Sequence, residues 1–507
     1  MSAAEGLSRR AVLAGGVAMI GAAGVTGRAT VIRLPEVRAP SGHYIGSFIT
    51  DPADPVTVRA HRFAGIRYAR AARFQPPVQV VSSAPMAEQA PGFGPACPQP
   101  GKAYRPQSED CLFLNVWVPA RGGQGLPVMV YVHGGAYSSG SVTDPLNDGA
   151  ALAARGDVVV VTVNHRLHAL GYLYLPDRFP DSGNAGQLDL IAALEWVQRN
   201  IAGFGGDPGN VTLFGQSGGG AKIATLMAMP AAAGLFHKAI TMSGQQVTAS
   251  GPINAARRAQ AFLAALGAGS DPLQAPLDTL LQALDTPDPV LGGRVYFGPV
   301  VDMRNVPRHP FWPDAPPQSA HIPMLLGNTV AETRAFYPAD GKVLKGLDFD
   351  NLAERITPEM RVDIHPGWVV EQFRARYPED APVELFHRIV TAARSWRGQV
   401  EEAEARARDG RGNTFVYQLD FEQARHTDDI GLAFGTTPDA TPAQAAMSAT
   451  MMDAFVRFAR SGDPGWPAYD LAARQTMIFD QQSIVVSDPR QWERELFARV
   501  PYVQPGT

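Results

Sequence analysis

The stretch Val211-Thr-Leu-Phe-Gly-Gln-Ser217-Gly-Gly-Gly220 decides how the chain is read. Val211 to Phe214 is a short apolar run of the kind that forms a buried strand. A glycine-flanked turn follows, and Ala221 to Met229 then reads as a helix. Gly215 and Gly219 bracket Ser217 in the spacing G-x-S-x-G. A sharp strand-to-helix turn needs that spacing, because larger flanking residues would collide with the backbone around it. The helix aims its first N–H groups at whatever negative charge develops beside the serine. Ser217 is therefore a candidate nucleophile. Taken alone, the same residues also fit a plain structural turn.

The flanking segments set the fold class. Val128-Met-Val-Tyr-Val132 and Asp157-Val-Val-Val-Val-Thr-Val163 are short, apolar strands typical of a parallel sheet covered on both faces. A helix is expected from Asp189 to Phe204, with Leu190, Ala193, Leu194 and Val197 on one face. Further strands read at Tyr44–Ile49, Leu112–Val118, His237–Met242, Pro323–Gly327, Thr414–Leu419 and Thr476–Phe479. Met447 to Arg460 has the pattern of an amphipathic helix. This alternation predicts an α/β fold: a mostly parallel central sheet with helices on both faces. Helical patterns from Ala255 to Leu284 and Leu347 to Val400 fall between core strands. They predict cap insertions around 255–320 and 345–410 within a single domain spanning 30–507.

Composition narrows the function classes. With 45% hydrophobic residues and a net charge of −4, the 507-residue chain has the balance of a soluble globular protein. No basic run points to nucleic acid and no acidic run to a disordered tail. The 43 prolines and 51 glycines are dispersed, which implies long loops rather than a linker. Ser8-Arg9-Arg10 followed by an Ala/Gly-rich apolar run predicts a signal peptide over 1–29, and the paired arginines are similar to a twin-arginine export signal. The run is too short for a membrane span, so an exported, extracytoplasmic protein without a stable membrane anchor is expected. The two cysteines, Cys97 and Cys111, suggest a disulfide in an exported protein, with two free thiols as the alternative. Two are too few for a structural zinc site, and no histidine stands at metal-ligand spacing.

A serine nucleophile needs a base, and the base needs an orienting acid. Among the 11 histidines, His426 lies in a polar loop just after the strand ending at Leu419, where catalytic groups gather in such sheets. Glu332 occupies the equivalent loop after the strand ending at Gly327, between Ser217 and His426 in the chain. By position alone the pair competes with ordinary surface acids and histidines. His133-Gly134-Gly135-Ala136 follows the Val128–Val132 strand directly. Its bare backbone can supply two N–H groups for an oxyanion hole, with the N–H of Gly218 as a third donor.

The chain resembles the type-B carboxylesterases, which include cholinesterases and bacterial para-nitrobenzyl esterases. The resemblance runs from about Val56 to Arg490. It rests on Phe63-Ala-Gly-Ile-Arg-Tyr-Ala69, Ser108-Glu-Asp-Cys-Leu-Phe-Leu-Asn-Val116, His133-Gly-Gly-Ala-Tyr137, Asn164-His-Arg-Leu167 and Gly183-Asn-Ala-Gly-Gln-Leu-Asp189. Asn200 to Pro208, Val211 to Gly220, Leu235 to Ile240, His426 to Gly435 and Gly462 to Pro467 continue it. The resemblance implies an α/β-hydrolase fold, a Ser217–Glu332–His426 triad and a Cys97–Cys111 disulfide. It also implies a supporting hydroxyl, Ser243, near the triad acid. Two departures stand out: the family usually has Glu before and Ala after the nucleophile, where this chain has Gln216 and Gly218. The loop Pro98–Asp110 also lacks the tryptophan that stacks on choline in cholinesterases, and carries Tyr104 as its aromatic residue. Both features argue against choline esters and toward neutral carboxylic esters.

The expected activity is hydrolysis of a small-molecule ester through an acyl-enzyme, without metal or cofactor, rising with pH through roughly 6 to 7 as the base becomes neutral. An amidase, carbamate hydrolase or lactonase with the same triad is the alternative. A non-catalytic binding protein of cholinesterase type is a more distant one.

Overall fold

The protein is described from a computed structural model, over residues 33–80, 88–89 and 92–504. The expected signal peptide lies outside the described residues. Among them, an 11-stranded sheet carries the fold. In chain order its strands are β1 (Ser47–Thr50), β2 (Val58–Arg67), β3 (Phe113–Pro119), β4 (Leu126–Val132), β5 (Val159–Val163) and β6 (Gly206–Gln216). They continue with β7 (Lys238–Met242), β8 (Met324–Thr329), β9 (Thr414–Leu419), β10 (Gln475–Phe479) and β11 (Ile484–Ser487). The spatial order is β1-β2-β3-β5-β4-β6-β7-β8-β9-β10-β11, so only β4 and β5 exchange places. From β5 to β10 every neighbouring pair is parallel; the pairs at either edge are antiparallel.

Side chains alternate across the central strands and are buried on both faces. Val128, Val130 and Val132 of β4 join one core, whereas Met129 and Tyr131 join the other. Val159, Val161 and Val163 of β5 repeat the division against Val160. Each such side chain contributes about 1.5–3 kcal/mol by leaving water, which is why unbroken apolar runs rather than alternating ones mark these strands. Helix α1 (Ala185–Asn200) packs Leu190, Leu194, Trp196 and Val197 into the first core. Helix α2 (Gly218–Met227) follows Ser217. Helices α3 (Pro252–Ala265) and α4 (Leu277–Ala283) lie between β7 and β8. Between β8 and β9 come α5 (Pro366–Arg376), α6 (Pro382–Val390), a π-helical turn over Thr391–Trp396 and α7 (Arg397–Ala407). Helix α8 (Pro442–Ser461) closes the second core with Met451, Phe455 and Phe458.

Several boundaries differ from the expectations. The Tyr44–Ile49 strand is split: Gly42–Ile45 and Ser47–Thr50 belong to different sheets, because the Gly46 N–H donates to the Pro35 carbonyl. A side chain at Gly46 would also stand 2.7 Å from the Arg62 carbonyl. Helix α1 starts earlier than Asp189 and hands over at Asn200 to a 3-10 turn, Ile201–Phe204. Helix α8 begins at Pro442 rather than Met447, since Thr441 and Gln444 form a capping box ahead of it. The helical pattern from Ala255 to Leu284 resolves into α3 and α4, separated by a segment containing Gly267, Gly269 and Pro272. Cys97 and Cys111 are buried next to each other as unbonded thiols, so the implied disulfide is not formed in the structure. No described helix is long and apolar enough to cross a membrane.

Candidate active site

Four loops leave the C-terminal ends of parallel strands β4, β6, β8 and β9, the edge of the sheet where such folds bind ligands. They carry the oxyanion-loop candidates, Ser217, Glu332 and His426 in that order.

Ser217 stands between β6 and α2 with φ 55° and ψ −124°, a strained conformation for a residue with a side chain. Its N–H donates to the Met242 carbonyl at 2.7 Å, which anchors the turn on β7. The turn is packed tightly enough to explain its glycines. A Cβ at Gly219 would lie 2.0 Å from the Val132 carbonyl oxygen, and one at Gly218 would lie 2.1 Å from that of Ala136. The departure noted at Gly218 thus has a physical cause: in this chain the β4 loop comes too close for alanine. As the first helical residue, Gly218 also has no acceptor for its N–H inside α2.

Glu332 is fully buried and His426 nearly so. The His426 Nδ1 and Glu332 Oε2 atoms are 2.5 Å apart. Burial alone would raise the Glu332 carboxyl. The charge and hydrogen bond of His426, a bond from the Ser243 hydroxyl and one from the Thr329 N–H outweigh it and hold the group below the ordinary range. Glu332 is therefore an ionised carboxylate, and its acceptor role places a proton on Nδ1 of His426. Nε2 is then free to accept a proton. The Gln216 side-chain amide lies 3.3 Å from Nε2 and donates to it. The Phe336 ring packs 4.6 Å from the imidazole.

The β4 loop is braced from below. Gly134 abuts the nucleophile turn, since a Cβ there would stand 3.3 Å from Ser217 Cβ. Gly135 has φ +86°, a conformation that favours glycine. The Lys222 ammonium, on α2, donates to the Ala136 carbonyl at 2.6 Å and the His133 carbonyl at 3.4 Å, and lies over the Tyr137 ring at 5.0 Å. Burial pushes Lys222 down to about 7. His133 stacks on His165 at 4.4 Å, and burial with the Lys222 charge pushes it down to about 3. The motif residues Arg166 and Asp189 form a buried bidentate pair, Nε to Oδ2 at 2.9 Å and Nη2 to Oδ1 at 2.7 Å. That pair ties the loop after β5 to α1 and is a structural link rather than part of the site.

Ser217, Gly218, Ser243 and His426 line one cavity of about 170 Å³ together with Ala136, Tyr137, Tyr296, Phe336, Arg394, Tyr502 and Gln504. The structure therefore brings together Ser217, Ser243 and His426, with Glu332 buried behind the imidazole. Lys222, Arg394 and the tail residues Tyr502 and Gln504 were not foreseen. A lysine in the turn after a nucleophile carries a weak signal, being a charge among apolar residues. The others have none, because they arrive from distant segments. Gln504 is held by accepting from the Val247 N–H at 3.0 Å.

Comparison with known proteins gives the same fold and chemistry. The carboxylesterase family model matches residues 34–491. The para-nitrobenzyl esterase of Bacillus subtilis strain 168 is 34% identical over 479 residues, spanning 86% of this chain and 94% of that protein. Carboxylesterase 3 of Homo sapiens is 34% identical over 424 residues, spanning 73% and 72% respectively. The crystal structure of a Geobacillus stearothermophilus carboxylesterase aligns with a TM-score of 0.80 at 32% identity, covering 91% of this chain and 99% of that one. The chain has the α/β-hydrolase fold and belongs to the carboxylesterase family as a carboxylic ester hydrolase.

Proposed function

We propose that Ser217, His426 and Glu332 are the catalytic triad of this esterase, with Gly134, Gly135 and Gly218 as the oxyanion hole. The observation that carries the reading is the 2.5 Å contact between His426 and the buried Glu332, with Ser217 in the same cavity as the imidazole. His426 Nε2 takes the Ser217 proton as the hydroxyl attacks the ester carbonyl. The carbonyl oxygen becomes an oxyanion, which the backbone N–H groups stabilise; losing one such donor costs about 3 kcal/mol. The alcohol leaves with the proton from His426. A water molecule then attacks the acyl-Ser217 ester, giving a proton to His426; the bond to Ser217 breaks, His426 returns that proton to the serine oxygen, and the acid departs. Glu332 keeps the imidazole oriented and stabilises its charged form; Ser243 and Thr329 keep the carboxylate in place. Gln216 occupies Nε2 in the resting state and must yield to the serine hydroxyl as the reaction begins. The segments around 255–320 and 345–410 act as the cap, a role supported by Tyr296 and Arg394 in the cavity wall.

The test is hydrolysis of 4-nitrophenyl esters of graded acyl length by the native protein and by Ser217→Ala. The native protein should turn over at least part of the series and Ser217→Ala none of it. Full activity in Ser217→Ala sinks the assignment of the nucleophile.

A second reading, amide hydrolysis by the same triad, is favoured by one relative: a probable N-octanoylanthranilate hydrolase of Rhodococcus erythropolis, 38% identical over 319 residues, 59% of this chain and 68% of that protein. A higher kcat/KM for an N-acyl anilide than for the matching ester would favour it.

Export and the disulfide belong to the same proposal. The leader Ser8-Arg9-Arg10 sends the folded enzyme out of the cytoplasm, and the adjacent thiols of Cys97 and Cys111 pair there. Replacing Arg9 and Arg10 by lysine should leave the precursor inside the cell. Because both positions are buried, protein recovered from outside is unfolded in denaturant before labelling, and it should then gain no thiol label until it is reduced. Labelling without reduction rejects the pairing.

A further inference from the structure

The cavity that holds Ser217 and His426 has one permanently charged side chain in its wall, Arg394. Arg394 belongs to the π-helical turn Thr391–Trp396 between α6 and α7. Such turns hold one extra residue per hydrogen-bonded ring and occur mostly at functional sites. The Arg394 guanidinium lies 5.4 Å from the Phe336 ring, and that ring lies 4.6 Å from the His426 imidazole. Together these spacings cap the distance from imidazole to guanidinium at about 10 Å. An extended chain gains about 3.5 Å for every three bonds, so an arm of about eight bonds spans the whole of that distance, and a shorter arm spans it where the groups lie closer than the cap.

The charges around Arg394 leave a positive surplus. Its Nη1 donates to the Tyr337 hydroxyl at 2.7 Å and to Glu359 at 3.2 Å. Nε and Nη2 have no acceptor among the described residues. Glu359 is already shared, since the Tyr337 hydroxyl donates to the same carboxylate oxygen. A second guanidinium, Arg361, stands nearby with its Nε buried and without a hydrogen-bond partner. The carboxyl beneath the cavity, Glu402, accepts from the Gln246 N–H and is pushed up to about 8 by burial, so at neutral pH it adds little negative charge. No carboxylate lines the cavity itself. Two guanidiniums thus share one carboxylate, Glu359, beside an ester-cleaving centre.

We infer that Arg394 is a substrate-binding residue for a carboxylate, and that the preferred substrates are anionic esters: molecules whose acyl or alcohol arm ends in a carboxylate a few bonds from the scissile carbonyl. The planar guanidinium offers Nε and Nη2 side by side, the fork that matches a carboxylate. This rests on the Ser217 reading of the same cavity and sharpens its substrate class. The sequence features that argue against choline point in the same direction, since a cation would meet Arg394.

The test compares matched pairs at neutral pH. On the acyl side, the mono-4-nitrophenyl ester of glutaric acid is set against 4-nitrophenyl valerate. On the alcohol side, 4-acetoxybenzoate is set against its methyl ester. The native enzyme should prefer the anionic member of at least one pair by about 10- to 100-fold in kcat/KM, mostly through KM, the range a charge-assisted hydrogen bond commands. The preferred pair identifies the arm that reaches Arg394. The preference should shrink as salt rises from about 20 mM to about 500 mM, a measurement that needs no variant. Arg394→Met should bring the ratio to about one, and Arg394→Lys should retain part of it, whatever either does to absolute rates. Equal or faster hydrolysis of the neutral member in both pairs overturns the inference, as does an unchanged ratio in Arg394→Met. If neutral esters are turned over in a Ser217-dependent way without anionic preference, this inference fails alone. If no ester is hydrolysed, the Ser217 reading fails with it.

Discussion

Gly218→Ala tests how the oxyanion hole is built in this chain. Alanine is the usual family residue there, so by resemblance the change is mild. The geometry gives the opposite answer. The new methyl would sit 2.1 Å from the Ala136 carbonyl oxygen and 2.4 Å from its Cα, where an ordinary contact needs about 3.4 Å. Both are backbone atoms, so no rotamer relieves the clash and the β4 loop must retreat by about 1 Å or more. It is pinned by the Lys222 ammonium at 2.6 Å from the same oxygen. Moving the loop displaces Gly134 and Gly135 from the developing oxyanion. A misplacement of about 1 Å costs about 100-fold, and loss of one donor about 100- to 1000-fold in kcat. Overpacking should also lower stability by about 1–3 kcal/mol. The assay is steady-state hydrolysis of 4-nitrophenyl acetate, normalised by active-site titration, alongside urea denaturation. kcat should fall by about two orders of magnitude with a smaller change in KM. Adding Lys222→Met should restore part of the rate, because the unpinned loop can yield without dragging its glycines. Gly218→Ala with kcat within about twofold of native refutes the close-loop explanation of Gly218 and with it the bracing role of Lys222.

Three further outcomes follow from the buried ionisable groups. Asp429, two residues into the turn after Thr427, is pushed up from 3.8 to about 7 by burial and the nearby Glu332 charge. Between those values the native state holds a proton that the unfolded chain has lost, so its contribution is full below about 4 and is lost as pH rises through about 7. Asp429→Asn should therefore raise the Tm more at about pH 8 than at about pH 5; the reverse order rejects the assignment. Lys222 is pushed down by burial from 10.5 to about 7, so the unfolded chain binds the extra proton in that window and native stability rises with pH across it. Lys222→Met should flatten this rise in denaturation profiles taken from about pH 7 to 10. Ser243→Ala removes one hydrogen bond to the Glu332 carboxylate, a bond of about 1.5–3 kcal/mol, and should lower kcat by about tenfold or more with little change in KM; an unchanged kcat would mean that the hydroxyl does not position the acid.

What could be read from sequence was whatever a local pattern dictates. The apolar runs at Val128–Val132 and Asp157–Val163 are buried on both faces, so their composition announces a parallel sheet. The serine turn is legible because its glycines answer to steric limits within a few residues. Glu332 and His426 could be found because the fold puts chemistry in loops just past strand ends, which makes position along the chain informative. Gly46 shows the limit: an alternating stretch reads as one strand, and only its bond to Pro35 and the approach of Arg62 divide it. Arg394 was invisible because the π-helical turn that carries it has no sequence period of its own. Tyr502 and Gln504 were invisible because their partners lie in other elements. Lys222 reads as part of a helix start, although a lysine with no nearby acid among buried neighbours is itself an anomaly.

The tail in the cavity wall bears on how the cavity is completed. Gln504 is fastened to Val247 across 257 residues of chain, and Tyr502 stands beside it near Ser217 and His426. The serine turn, the acid and the base all precede this part of the wall in the order of synthesis. The cavity wall is therefore closed by the last part of the described chain to be made, residues 502–504. A bulky fusion close to residue 504 would therefore press on the cavity wall rather than hang harmlessly from the surface.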